Sequence, residues 1–157
     1  MKKINKIIFV FCISILLISC GYKKISQTQQ AIYLQNITTS GENRTAYALK
    51  NDILLISDKN AKIKYDVDLK ISQSISTRIK NSAGKVTRDR MAISVNLFLK
   101  NINNQKTLNK SFSRNSDYDI ASTHSKTLNN RKATKKNLIN QLSDDIKKFI
   151  LIYSEIK

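Results

Sequence analysis

From Ile63 the chain alternates, with Ile63, Tyr65, Val67, Leu69 and Ile71 separated by Lys64, Asp66, Asp68 and Lys70 and followed by Ser72. A period of two held over ten residues predicts a strand with one buried and one wet face. The pattern returns at Met91, Ile93, Val95, Leu97 and Leu99, set against Ala92, Ser94, Asn96 and Lys100. Asn81 to Gly84 reads as the turn of a long hairpin between these strands, and Asn101 to Gln105 as the next turn. Leu108, Lys110 and Phe112 continue a third strand, which Tyr118 extends beyond a break at Asn115-Ser116.

Before this meander, Gln30 to Ile37 predicts a short strand with Ile32, Leu34 and Ile37 turned inward. Gly41 separates it from a helical stretch with Asn43 as N-cap and Ala46, Leu49, Ile53, Leu54 and Ile56 at helical spacing. The C-terminus changes period again. Leu138, Leu142, Ile146, Phe149 and Tyr153 form one stripe, flanked by Ile139 and Ile150, with Lys135, Lys136, Asp144, Lys147 and Lys148 on the other faces. This helix starts between Ser122 and Lys132 and runs to about Ser154. A basic amphipathic helix can lie on a membrane surface or cover the apolar face of a sheet. The order β-α-β-β-β-α predicts an α+β fold, a two-layer sandwich whose four-stranded, mostly antiparallel sheet is covered by two helices. There is no internal repeat and no second domain.

The N-terminus carries a different signal. Lys2, Lys3 and Lys6 precede an uncharged run from Ile7 to Ile18, twelve residues long, where a spanning helix needs about 20. It reads as an export signal closed by Leu17-Ile18-Ser19-Cys20. A small residue immediately before a cysteine resembles the lipobox of bacterial lipoproteins, in which the thiol is acylated and the cysteine becomes the new N-terminus. Cys12 follows the bulky Phe11 and does not fit that pattern. The competing reading is an uncleaved anchor helix or a buried strand with an incidental cysteine. With Gly21 rather than Asp after the cysteine, the resemblance implies sorting to the outer membrane. The expected organisation is therefore a signal peptide over 1–19, a lipidated polar tether over 20–29 beginning at Cys20, and a single domain over 30–157. Processing leaves no second thiol, so a disulfide, a zinc site or a thiol nucleophile is excluded from the mature chain.

Charge sharpens the choice of partner. Three of the 28 basic residues leave with the signal and all 11 acids remain, so the mature net charge is +14. Such a balance favours phosphorylated lipid, a membrane surface or nucleic acid, and export argues against the last. Part of the excess is compositional. Lys outnumbers Arg 22 to 6, with 16 Asn and no Pro or Trp, as an AT-rich genome would produce.

Several short motifs carry a family resemblance. Asn43-Arg44 followed by Leu49-Lys50-Asn51, Thr87-Arg88 before the strand from Met91, Leu99-Lys100-Asn101 to Leu108, and Ser113-Arg114 with Ser116-Asp117-Tyr118-Asp119 stand behind the lipobox. In that order they resemble the LPS-assembly lipoprotein family (LptE) in its alphaproteobacterial form. The chain departs from the family at Ser122-Thr123-His124-Ser125, where a small-residue stretch is usual, and at Asn129-Asn130-Arg131, where the helix start is usually acidic. The resemblance implies an outer-membrane lipoprotein seated in the lumen of a large β-barrel, LptD, as plug and assembly partner. It also implies binding of lipopolysaccharide and help in delivering it to the outer leaflet.

No catalytic constellation is visible, and no cofactor beyond the lipid on Cys20 is expected. His124, the only histidine, lies in a polar stretch that reads as a solvated loop, and three glycines at 21, 41 and 84 build no phosphate loop. Asp144 and Asp145 diverge on a helix, and Asp66 and Asp68 share a strand face with Lys64 and Lys70, a pattern of charge pairing. The chain reads as a binding and assembly protein, with a generic lipid-anchored structural or adaptor domain of the periplasm as the alternative. The candidate ligand residues are Arg78, Lys85, Arg88 and Arg90 of the hairpin, with Lys80 beside them and Asp89 the one local acid. Guanidinium groups bind phosphate bidentately, so this cluster suits the phosphates of lipid A. An exposed hairpin that is merely soluble is the other reading.

Overall fold

The structure, a computed structural model, describes residues 31–155. The signal peptide, Cys20 and the tether over 20–29 lie outside the described residues. The chain runs β1 (Ile32–Gly41), α1 (Asn43–Leu54), β2 (Ile63–Lys80), β3 (Val86–Asn101), β4 (Thr107–Asp119) and α2 (His124–Glu155). The strands form one sheet in the order β1-β2-β3-β4. β1 and β2 are parallel, joined by α1 as a crossover, and the other two pairs are antiparallel. This is the expected α+β arrangement, with one parallel pair.

Register puts the alternating residues on one face. Val67 lies opposite Leu99, Leu69 opposite Leu97 and Ile71 opposite Val95, all buried. Leu138, Leu142, Ile146 and Ile150 of α2 and Ala46, Leu49 and Ile53 of α1 join the same apolar cluster. The basic amphipathic helix thus covers the sheet. Its Phe149 is only partly buried and meets Phe112 edge-on, with ring centroids 5.6 Å apart. In β1 the spacing of Ile32, Leu34 and Ile37 is not strictly two. A register shift between Leu34 and Asn36 absorbs Gln35, so that Ile37 still turns inward.

Three local expectations are corrected. The N-cap of α1 is Glu42, whose carboxylate accepts from the Thr45 N–H at 2.6 Å; Asn43 is the first helical residue. Desolvation would raise the Glu42 pKa, but the Thr45 hydrogen bonds and the Lys135 ammonium outweigh it and bring the value down to about 2. β4 has no break at Asn115-Ser116, because the ladder continues through Asn115 opposite Ala92 and Ser116 opposite Met91. Asp66 and Asp68 do not pair with the lysines beside them. They accept from Asn36 (2.8 Å) and Thr38 (2.9 Å) of β1.

Between β1 and α1, Gly41 has φ +101°, and a Cβ there would stand 1.8 Å from the Ile71 carbonyl oxygen. Only glycine lets the chain leave the parallel pair this close to β2. The lengths of the elements then position everything else. β2, at 18 residues, spans roughly 60 Å, whereas the 12 residues of α1 span about 18 Å. α1 packs on β1 and β2 and α2 on β4, β3 and α1. The far end of β2, with the hairpin, projects past the cover.

Candidate functional site

The hairpin end is built by β2 and β3, closed by a short turn. Asn81 holds the turn: its carbonyl accepts from Gly84 N–H, its N–H donates to the Lys85 carbonyl, and its side-chain oxygen accepts from the Ala83 and Lys85 amides. Gly84 takes the positive φ of +76°. Of the sequence-predicted cations, Lys85 closes the turn. Arg88 and Arg90 stand in β3, and Arg78 sits at a register irregularity in β2 between Thr77 and Ile79.

The structure brings partners to this cluster that lie about 30 residues away in sequence. β4 places Asp119 opposite Arg88 and Asp117 opposite Arg90. Arg88 Nε lies 2.8 Å from Asp119, and Arg90 reaches Asp117 with Nε at 2.6 Å and Nη2 at 3.3 Å. The Arg90 hydrogen bond, opposed by some desolvation and helped by the charges of Arg90, Arg78 and Arg88, lowers the Asp117 pKa. Asp89 stands opposite Tyr118, whose hydroxyl approaches it at 3.4 Å, on the other face from the arginines. The balance at this end is therefore less positive than the sequence implies. The two carboxylates orient Arg88 and Arg90 and cancel two charges, while Arg78 and Lys85 form no ion pair among the described residues.

The face of the sheet away from the helices is open, and almost wholly polar. Ser94 and Ser113 share a hydrogen bond at 3.0 Å, and Ser111 donates to Asn96 at 2.7 Å. Phe98 interrupts the polar surface, 44% exposed, with Asp68 and Asn109 opposite it on the two neighbouring strands. A shallow cavity of about 410 Å³ includes Phe98, Asp66, Asp68 and Lys100.

On the helix side the sequence reading missed a second concentration of cations. α1 and the first half of α2 enclose a cleft of about 540 Å³ lined by Arg44, Arg131, Lys132 and Lys135, with Glu42 and Gln73. Sequence offers no signal for it, because α1 and α2 lie some 90 residues apart and meet only through the fold; Glu42 accepts from Lys135 at 3.1 Å across that separation. His124 is the exposed first residue of α2. Among the described residues no cluster of three His, Cys, Asp or Glu could hold a metal, and no helix is long and apolar enough to cross a membrane.

No family model matches the sequence, and no curated protein matches it. The fold, however, has solved counterparts. The rare lipoprotein B from Shewanella oneidensis superposes with a TM-score of 0.60 at 14% identity, over 77% of this chain and 95% of that one. A putative lipoprotein from Caulobacter crescentus superposes with a TM-score of 0.54 at 16% identity, over 77% and 92%. At these identities the likeness shows a shared fold.

Proposed function

We propose that this chain is an outer-membrane lipoprotein that sits within a large β-barrel translocon of the LptD kind as plug and assembly partner, and helps insert lipopolysaccharide into the outer leaflet. One observation carries the reading: a domain with the fold of two bacterial lipoproteins follows a lipobox ending at Cys20. The motif resemblance then selects the lipopolysaccharide-assembly family among lipoproteins. The open sheet face supports the same choice. Barrel lumens are polar and wet, and a largely polar four-stranded face whose serine, asparagine, threonine and aspartate side chains hydrogen-bond from strand to strand suits such a surface.

In this reading the hairpin end meets lipid phosphate. Arg78 and Lys85 supply the unpaired charge, and Arg88 and Arg90, held by Asp119 and Asp117, present guanidinium edges in fixed orientation. The chain acts by binding and needs no catalytic group. The decisive experiment is capture of the tagged, lipid-anchored protein from detergent-solubilised outer membranes. One large β-barrel protein should co-purify in near-equal amount, and recovery of assorted envelope proteins without a barrel would favour the adaptor alternative. Metabolic palmitate labelling tests the anchor separately, since Cys20→Ala should abolish the label and a persistently labelled mutant would overturn it.

A further inference from the structure

The 22 lysines are spread along the chain, but the six arginines are not. Arg114 is tied to Asp145 at 2.6 Å, and Arg78, Arg88 and Arg90 belong to the hairpin. The remaining two, Arg44 on α1 and Arg131 on α2, both line the cleft between the helices. Lys132 and Lys135 of α2 line the same walls. An adjoining cavity of about 580 Å³ shares Arg44, Lys132 and Lys135 and adds Lys136, Tyr47 and one acid, Asp52. Compositional drift toward lysine does not account for arginines from two distant elements meeting in one concavity.

Charge in the cleft is one-sided, with Arg44, Arg131, Lys132 and Lys135 against Glu42 alone. Its carboxylate, Glu42, is already engaged by the Thr45 amide and the Lys135 ammonium. Gln73, on the sheet floor, receives a bond from Thr45 through its carbonyl oxygen at 3.4 Å, which leaves its NH₂ without a partner among the described residues. Arg44, Arg131 and Lys132 likewise form no ion pair among the described residues. The walls thus hold three cations without an ion pair among the described residues, and the one carboxylate is bound to the fourth, so the ligand that answers them is a compact polyvalent anion. A phosphate group offers several strong acceptor oxygens and negative charge together. The volume falls within the usual range for small-ligand sites, about 300–1,000 Å³. Beside it, the uncovered end of β2 leaves Ile75 and Ile79 exposed, 38% and 45%.

We infer that the cleft between α1 and the N-terminal half of α2 is a second anion site, separate from the hairpin, that binds a phosphate ester through Arg44, Arg131 and Lys132. Lys135, fixed by Glu42, adds charge from one wall, and Gln73 donates from the floor. The site stands whether or not the protein plugs a barrel.

The test is isothermal titration of the processed, lipid-anchored protein in detergent. One arm uses inorganic pyrophosphate, and the other uses detergent micelles carrying phosphatidic acid. Arg44→Ala with Lys132→Ala should weaken binding about tenfold or more, as expected for loss of charge-assisted hydrogen bonds. Lys59→Ala with Lys62→Ala removes the same charge from an exposed loop and should change binding less than twofold. Loss in both arms identifies phosphate itself as the ligand, and loss only with micelles identifies a lipid headgroup. Equal losses from the two double variants, or no binding of either probe by the unaltered protein, would overturn the site. Thermal melts confirm folding, and Arg131→Ala alone gives the same readout should the double variant be unstable.

Discussion

The two ends of the β2–β3 ribbon are made of the same ladder and live in different surroundings. From Tyr65 to Ile71 and from Val95 to Leu99, which lie opposite one another, every second side chain is buried beneath helices. From Ser74 to Lys80 every residue is exposed, although pairing with β3 persists to Lys80 opposite Val86. Backbone hydrogen bonds therefore hold the far end as a strand, while side-chain burial holds the near end as a core. The lesson concerns tolerance. Residues at the near end answer to packing density, and those at the far end are free to answer to a ligand.

The sharpest way to break that contrast is a charge in the near end. Val95→Asp would bury an unpaired carboxylate among fully buried neighbours and should cost more than about 4 kcal/mol, enough to threaten folding. Leu97→Ala leaves a cavity opposite Leu69 and should cost about 2–5 kcal/mol. Ile79→Ala, the same kind of truncation at the far end, should stay within about 0.5 kcal/mol. Denaturant melts of the three variants decide it. A cost for Ile79→Ala matching that of Leu97→Ala would mean that the far end is covered after all.

Next in size is the junction that starts the covered half. Gly41→Ala would place a methyl 1.8 Å from the Ile71 carbonyl oxygen, at a positive φ. About 2–3 kcal/mol of destabilisation is expected from strain and clash. Gly84→Ala, at the hairpin tip, has a positive φ but open space around it, and should cost about 1 kcal/mol. If the two glycines proved equally costly, backbone conformation rather than close approach to β2 would be the constraint.

Legibility in sequence follows the same division. The alternation at Ile63–Ile71 and Met91–Leu99 and the stripe at Leu138–Ile150 were readable because burial on one side creates periodic contrast. β2 beyond Ser72 was not, since both of its faces are wet and Ser74, Ser76 and Thr77 carry no contrast. The unbroken β4 was hidden for the same reason, its Asn115 and Ser116 being held by β3 and not by local preference. In the candidate site the cations themselves could be read from the hairpin. Their partners Asp117 and Asp119 could not, because register across β3 and β4 sets that pairing. The cleft between α1 and α2 depends wholly on tertiary contact, and the cap at Glu42 rather than Asn43 is a choice made by one hydrogen bond and Lys135.

Glu42 gives a smaller, pH-dependent effect. Its carboxyl pKa is lowered to about 2 from an ordinary 4.5. A depressed carboxylate contributes stability that is complete above about pH 4.5 and lost as pH falls through 4.5 toward 2. The side chain is 33% exposed, so solvent screening reduces its worth to that of an ordinary N-cap, about 1 kcal/mol. Glu42→Ala should therefore lower stability by about that much at pH 7, with the gap from the unaltered protein closing between pH 4.5 and pH 2. A gap that stayed constant to pH 2 would mean that the side chain acts through packing and not through its charge.

The smallest effect on stability, and the most informative for function, belongs to the far end. Arg88→Glu with Arg90→Glu breaks two partly exposed ion pairs and sets four carboxylates together with Asp117 and Asp119. Ion pairs this open to solvent contribute little to stability, so the fold should survive with only a small loss. Binding to lipopolysaccharide micelles should fall, and fall more at low salt, because exposed charges interact over about 10 Å at 0.1 M ionic strength. Lys147→Glu with Lys148→Glu is the matched reversal on the covered half; it releases the bridge from Lys147 to Asp144 and changes net charge by the same amount. Under the hairpin reading it leaves binding nearly intact. Equal losses from the two reversals, with both proteins folded, would show that lipopolysaccharide senses only the overall charge of the domain. The far end would then be an exposed hairpin held out by its own ladder, with Arg88 and Arg90 occupied by the aspartates of β4.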